Sequence, residues 1–222
     1  MAGAASPALP IPIPIPSLFD VVDGTWFVTP WVDGDVGARW LDHPDRARTM
    51  AHAMGVLHRS VRMIDPRIVG AGPDQDDPRS RSLDERPRDL GASATAAIAR
   101  ADATLAGRGP VTPTFVHGDF APINVILGAD GTIRALLDFE HARVGDPRED
   151  IAWWGWVVRH HHPDAWQAAW PVFCTAAGSD PVEDATVLQA LVIRQLVRRA
   201  VGVTKPLDRQ RWLGRLDQAA RW

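Results

Sequence analysis

Lysine is almost missing: of the 24 lysines and arginines in 222 residues only Lys205 is lysine, and arginine supplies the other 23. A mechanism that needs a lysine early in this stretch of chain is excluded. Cysteine is as scarce. Cys174 alone cannot build an intrachain disulfide framework or a multi-cysteine zinc site, and it fits a reducing compartment, so a cytoplasmic protein is expected. A charge of one sign is lacking too, the formal net charge being −3 and the pI about 6.2. Nucleic acid and anionic membranes are therefore not expected partners. No run reaches the ~18 to 20 apolar residues of a membrane span; the longest, Ala185 to Val203, is broken by Gln189, Arg194, Gln195, Arg198 and Arg199. Residues 1–16 contain no Lys or Arg and so lack the positive start of a secretory signal, and the alternation of Ile and Pro from Ile11 to Pro16 predicts an extended lead-in.

What remains is 45% hydrophobic and 23% charged, the composition of a globular protein with a packed core. Leu18 to Val22 and Thr25 to Val32 read as two strands around the Asp23-Gly24 turn, a hairpin too small to be a domain. From Pro44 the apolar residues Ala47, Met50, Ala51, Met54, Leu57 and Val61 recur at helical spacing, with start signals over Asp42 to Asp45. Asp65 to Asp89, dense in Asp, Pro, Arg and Ser, predicts a surface loop, and Ala92 to Leu105 an alanine-rich helix. Short strands follow at Thr114 to Val116, Val125 to Leu127 and Ile133 to Leu137. Four helices are then predicted over Arg148–His160, Asp164–Ala177, Val182–Val201 and Asp208–Trp222.

Polar residues gather at the ends of the central strands: His117-Gly118-Asp119, Asn124, Asp138-Phe139-Glu140, then Gly145-Asp146-Pro147 and Asp150. A carboxylate in a loop directly after glycine, Asp119, is a candidate base for an attacking hydroxyl. The amide oxygen of Asn124 and the carboxylate of Asp138 are oxygen ligands of the type Mg²⁺ takes beside phosphates and water. One base and two metal contacts describe phosphoryl transfer. Taken singly, each of these residues is more often a turn former than a catalyst. Their order parallels the catalytic-loop and metal-loop signatures of kinases, with His-Gly-Asp in place of His-Arg-Asp.

Through HGDFAPIN at His117 to Asn124 and LLDFEHARVGDPREDIAW at Leu136 to Trp153, the chain resembles the aminoglycoside phosphotransferase and choline kinase-like group of small-molecule kinases. The resemblance runs over approximately Ser17 to Trp222, and Met54 to His58 looks like the group's helix after the hinge. It implies an α+β, protein kinase-like fold: a mostly helical C-terminal lobe over 35–222 with small β hairpins, and an N-terminal lobe reduced over 17–34 to one hairpin and the hinge. By resemblance Asp119 is the catalytic base, Asn124 and Asp138 hold Mg²⁺, and Trp31, Val32 and Asp33 lie beside the adenine of ATP. Asp146 and Asp150 then look structural, Asp150 anchoring the helix that follows. The implied reaction transfers the γ-phosphate of ATP to a hydroxyl of a small, aminoglycoside-like or choline-like compound. Ala121 and Ile123 depart from the His and Gly that the group often carries there.

The larger departure is at the front. The group's N-terminal lobe carries a phosphate-covering glycine-rich loop and a phosphate-binding lysine paired with a helix glutamate, and Met1 to Ser17 offers none of these. Gly70 and Gly72 lie in the Pro/Asp-rich loop and are no substitute. Three readings follow: an active phosphotransferase whose missing lobe comes from another segment or a second polypeptide, a homodimer partner included; a truncated, non-catalytic scaffold; and, a distant third, a metal-dependent hydrolase, which lacks the expected histidine ligands. Among lesser features, His160 to His162 read as a solvated helix end. Trp153, Trp156 and Val157 share a buried face with Trp154 outward, and Arg194, Arg198 and Arg199 form a polar helix face. Glu140, Glu149, Asp164, Glu183 and Asp184 do not converge on a pocket that sequence alone defines.

Overall fold

Proline marks the start of several helices, because its missing N–H would be unpaired in the first turn anyway and its ring presets φ. Pro44 opens α1 (Pro44–Val61), Pro163 opens α4 (Pro163–Ala177) and Pro206 opens α6 (Pro206–Ala219). The remaining helices are α2 (Ala92–Gly107), α3 (Arg148–His161) and α5 (Ala185–Gly202). The computed structural model describes residues 12–13, 17–21, 24–69 and 90–221. Most of the lead-in, Val22 and Asp23 of the first turn, Gly70 to Asp89 and Trp222 lie outside these.

Among the described residues seven short strands accompany the helices. β1 (Ser17–Val21) pairs antiparallel with β2 (Gly24–Val28), Val21 facing Gly24. The second strand stops at Val28, short of the predicted Val32, since Pro30 has no N–H to extend a ladder. β3 (Asp35–Val36), β5 (Val125–Leu127) and β6 (Ile133–Leu136) form an antiparallel sheet, and β4 (Thr114–Val116) pairs with β7 (Arg143–Gly145). β3 and β7, two and three residues long, are too short for any periodicity to announce them. Gly131, at φ +80°, closes the β5–β6 turn, where the Asp130 carboxylate accepts the Thr132 N–H at 3.1 Å. The lead-in touches this sheet: Pro12 O accepts the Leu136 N–H at 2.9 Å, and Ile13 packs on the core.

The core lies among the helices. α1 rests chiefly on α4, and Gly55 permits the approach, since a Cβ there would sit 2.5 Å from Ala176 Cβ. Trp154, expected to face outward, is fully buried and stacks on Phe173 with centroids 3.9 Å apart. The helix turns two adjacent tryptophans to two interiors, because α3 is covered on one side by α4 and on another by α5. α5 begins at Ala185, three residues later than predicted. Asp180 Oδ1 accepts the N–H groups of Val182 and Glu183 at 2.8 and 3.1 Å, which holds Pro181 to Asp184 in a turn. No helix among the described residues is long and apolar enough to cross a membrane.

Candidate functional site

The β3–β5–β6 sheet spaces Trp31 to Gly34, the segment expected to form a hinge, from the loop residues. Asp35 pairs with Leu127 and Val36 with Ile126, so Trp31 to Gly34 arrive at the Leu127 end of β5. Gly34 has φ +150°, and a Cβ would lie 2.4 Å from Leu127 O, so the chain runs tight against β5 there. Asn124 precedes the other end of β5. Three strand residues, about 10 Å of chain, separate the two. Asp138 follows β6 beside Asn124, the two segments being tied by Leu137 N–H donating to Asn124 O at 2.9 Å. In that segment Trp31 is 88% exposed and its Nε1 donates to Asp33 Oδ1 at 2.8 Å, while Val32 is half-buried.

Asn124 is buried, and its Nδ2 donates to Asp119 O at 2.8 Å and faces Asp119 Oδ2 at 3.3 Å. That fixes the amide's sense, so Oδ1 points the other way and accepts no hydrogen bond among the described residues. Asp138 is exposed at φ +65°, a left-handed conformation that Asp tolerates better than most residues, and among the described residues its carboxylate makes no hydrogen bond or ion pair. An uncommitted amide oxygen and an uncommitted carboxylate suit a hard cation such as Mg²⁺.

Asp119 is held by residues far away in sequence. Its Oδ1 accepts the Trp153 indole N–H at 2.6 Å and Arg199 Nη2 at 2.8 Å. Arg199 also donates to Gly118 O at 3.2 Å, and its guanidinium lies over the rings of Trp153 and Trp212 at 4.8 and 5.6 Å. Gln195 Nε2 reaches Gly118 O at 2.6 Å. Spacing alone puts Trp153 in the core, where it is found, and the arginine cluster on a polar helix face; the structure also brings the Trp153 indole N–H and Arg199 onto the candidate base. No sequence signal joins positions so far apart in the chain.

Behind this loop stands Asp150, fully buried, whose two oxygens accept the N–H groups of His117 and Gly118 at 2.8 and 2.9 Å. It ties the loop to the first turn of α3. Gly118, at φ +77°, leaves no room for a side chain: a Cβ would lie 2.1 Å from His141 O. His117 donates through Nε2 to Leu137 O at 2.9 Å, so its neutral Nδ1 is available to accept the Asp119 N–H at 3.3 Å. His58, also fully buried, donates through Nε2 to Pro147 O at 2.9 Å. Asp146 accepts the Arg148 N–H at 3.0 Å and pairs with Arg108.

Burial sets the titration of these groups. It lowers His58 and His117 from 6.5 to about 4 and pushes Asp150 up to about 7, against the pull of its two N–H partners. The signs oppose. Between about pH 4 and 6.5 the unfolded chain binds two histidine protons that the folded chain refuses, while folded Asp150 keeps one proton that the unfolded chain has released. These three groups together make stability rise with pH up to about 7. Asp150's contribution, complete below its unfolded pKa, is lost as the pH climbs through about 7, so the same groups lower stability above that. Urea unfolding from pH 4.5 to 8.5 is expected to show a maximum near pH 7, and a profile still rising through pH 8 would contradict it.

Residues 2–181 match the model of the phosphotransferase enzyme family. The chain belongs to this family. The match starts earlier than Ser17 and ends ahead of α5. No curated protein sequence matched. Among solved structures, the chain is similar to the GDP complex of wild-type aminoglycoside 2'-phosphotransferase-IIIa at TM-score 0.72 and 14% identity, covering 96% of this chain and 77% of that one. It is similar also to a GDP and kanamycin complex of APH(2")-IIIa at TM-score 0.68 and 14% identity, over 95% and 76%. A third likeness, at TM-score 0.66 and 18% identity over 95% and 77%, is to a thermostable variant of aminoglycoside phosphotransferase APH(4)-Ia in ternary complex with AMP-PNP and hygromycin B. The fold is thus the α+β, kinase-like fold of aminoglycoside phosphotransferases.

Within the family frame, Ala121 is buried and Ile123 is 64% exposed. Neither side chain displaces Asn124 from Asp119.

Proposed function

We propose that this chain is a phosphotransferase that uses Mg-ATP to phosphorylate a hydroxyl of a small molecule, with Asp119 as base. The observation that carries the reading is the asymmetry of Asp119: Oδ1 is committed to Trp153 and Arg199, and among the described residues Oδ2 meets only the long contact to Asn124. A carboxylate steadied on one oxygen is oriented to take a proton on the other. The acceptor oxygen attacks the γ-phosphorus, its proton passes to Asp119 Oδ2, and the bond from the γ-phosphorus to the bridging oxygen breaks to release ADP. Asn124 Oδ1 and Asp138 would hold Mg²⁺, which when bound neutralises charge on the phosphates. Trp31, Val32 and Asp33 would lie along the adenine, the sheet's span of about 10 Å between hinge and Asn124 matching the reach from base to phosphates. Under this reading residues 1–16 are the lead-in, 17–34 the hairpin and hinge, and 35–222 the C-terminal lobe.

Support comes from family membership and from neighbours crystallised with GDP, AMP-PNP, kanamycin or hygromycin B. The absence of any lysine ahead of Lys205 favours a second reading, in which the phosphate-clamping groups are supplied by another segment or polypeptide and this chain alone is a scaffold. Calorimetry separates the two. Mg-ATP is expected to bind the 222-residue chain and to lose about tenfold or more in affinity in Asp138→Asn, which keeps a residue tolerant of the left-handed backbone and removes the charge. No binding by the unaltered chain would leave the scaffold reading standing.

A further inference from the structure

A cavity of about 480 Å³ lies beside the Asp119 loop, walled by Gly118, Arg143, Glu149, Arg198, Arg199 and Trp212. Asp119 does not border it. Arg199 borders the cavity and also reaches Asp119 Oδ1 through Nη2 at 2.8 Å. A guanidinium so placed can serve a molecule in the cavity or the carboxylate behind it, and its own contacts decide between the two.

Both terminal nitrogens of Arg199 are taken by the protein. Nη2 donates to Asp119 Oδ1 and, at 3.2 Å, to Gly118 O. Nη1 lies 2.9 Å from His141 Nε2, which accepts, since a guanidinium has no lone pair to offer. The side chain is 16% exposed, and its flat group rests over the rings of Trp153 and Trp212. Contacts on two nitrogens and a face leave the fork little freedom to turn toward the cavity.

Its grip on the loop is of a kind that the other anchors do not provide. Gln195 holds the backbone at Gly118 O, and the Trp153 indole holds the carboxylate at Oδ1. Arg199 joins the two from one nitrogen, so the Asp119 carboxylate cannot swing about its own side-chain bonds without breaking a charge-assisted hydrogen bond. With Oδ1 pinned in this way, Oδ2 is left facing Asn124.

Resting on the reading of Asp119 as base, we infer that Arg199 is a positioning residue for phosphoryl transfer: it aims Asp119 Oδ2 at the acceptor's proton and binds neither acceptor nor nucleotide. The helix carrying Arg199 begins after the stretch matched by the family model, so nothing in the family assignment gives it this part.

Turnover is followed as ADP release from Mg-ATP, with D-glucose, D-glucosamine, choline or water alone as acceptor. The proteins are the unaltered 222-residue chain, Arg199→Ala, Arg199→Lys, Asp119→Asn and the double variant of Asp119→Asn with Arg199→Ala. Arg199→Ala is expected to lower kcat about 10- to 100-fold, the cost of a base misplaced by about 1 Å, while KM for Mg-ATP and for the acceptor stays within about threefold. Arg199→Lys, which keeps the charge and loses the fork, should fall in between. The double variant should be no slower than Asp119→Asn, because a residue that acts only through Asp119 has nothing left to position. Thermal unfolding reports that each variant folds, and where Arg199→Ala does not, Arg199→Lys takes its place in the cycle. An unchanged kcat, an acceptor KM raised at constant kcat, or losses that multiply in the double variant would each overturn the inference. A crystal structure of the folded Arg199 variant needs no turnover: it should show the Asp119 carboxylate rotated from its present place, and an unmoved carboxylate would overturn the inference even in a chain without measurable activity. Full turnover in Asp119→Asn defeats the base reading itself, whereas its loss there beside full turnover in Arg199→Ala defeats this inference alone.

Discussion

Asp119→Asn is expected to lower phosphoryl transfer about 10²- to 10⁴-fold, the range a positioned general base contributes, and to leave Mg-ATP binding within about threefold. The amide can still accept from Trp153 and Arg199 through its oxygen, so the loop keeps its anchors. Its nitrogen, placed where Oδ2 was, has no lone pair for the acceptor's proton and faces Asn124 Nδ2, donor to donor. The measurement is ADP release in an acceptor panel beside the calorimetric affinity for Mg-ATP. Unchanged turnover would remove Asp119 from the role of base. Loss of nucleotide binding along with turnover would mean that the substitution disturbed the loop as a whole.

Asp150→Ala is expected to destabilise the chain by about 2 to 5 kcal/mol, because two buried N–H groups, those of His117 and Gly118, lose their acceptor at once. Against a total of roughly 5 to 15 kcal/mol for a folded domain this is a large fraction. Asp150→Asn keeps one acceptor oxygen and turns an NH₂ toward the other N–H, so its cost should fall between wild type and Ala. Denaturant midpoints order the three proteins, and hydrogen exchange at the amides of His117 and Gly118 tells local from global loosening. Equal stability of wild type and Asp150→Ala would show that water replaces the carboxylate, contrary to its full burial.

The parts of this site that are local in sequence are legible from the amino-acid order alone. Gly118 between His and Asp, Asn124 five residues on and Asp138 after an apolar strand announce a loop chemistry, because a turn and its polar residues are written side by side. The six α-helices of the described residues follow from apolar spacing and from Pro and Gly at their ends, with errors where a side chain captures backbone N–H groups, as Asp180 does ahead of α5. Partnerships across the fold are not legible in this way. Trp153 and Arg199 sit on helical faces whose spacing fits core and polar surface, and only the packing of α3 and α5 around the loop turns them to Asp119.

Neighbouring residues on one helical turn of α5 divide two tasks. Arg198 faces the cavity beside Glu149, and Arg199 steadies Asp119, with Gln195 one turn earlier clasping Gly118. A slight rotation or slide of α5, such as follows from repacking its apolar side, moves Arg198 against Glu149 and Arg199 against Asp119 in the same stroke. Substitutions that reshape this cavity while leaving Asp119 anchored are therefore to be sought on β7, whose Arg143 borders the cavity without touching Asp119, and not on α6, whose Trp212 carries the Arg199 guanidinium, or within α5.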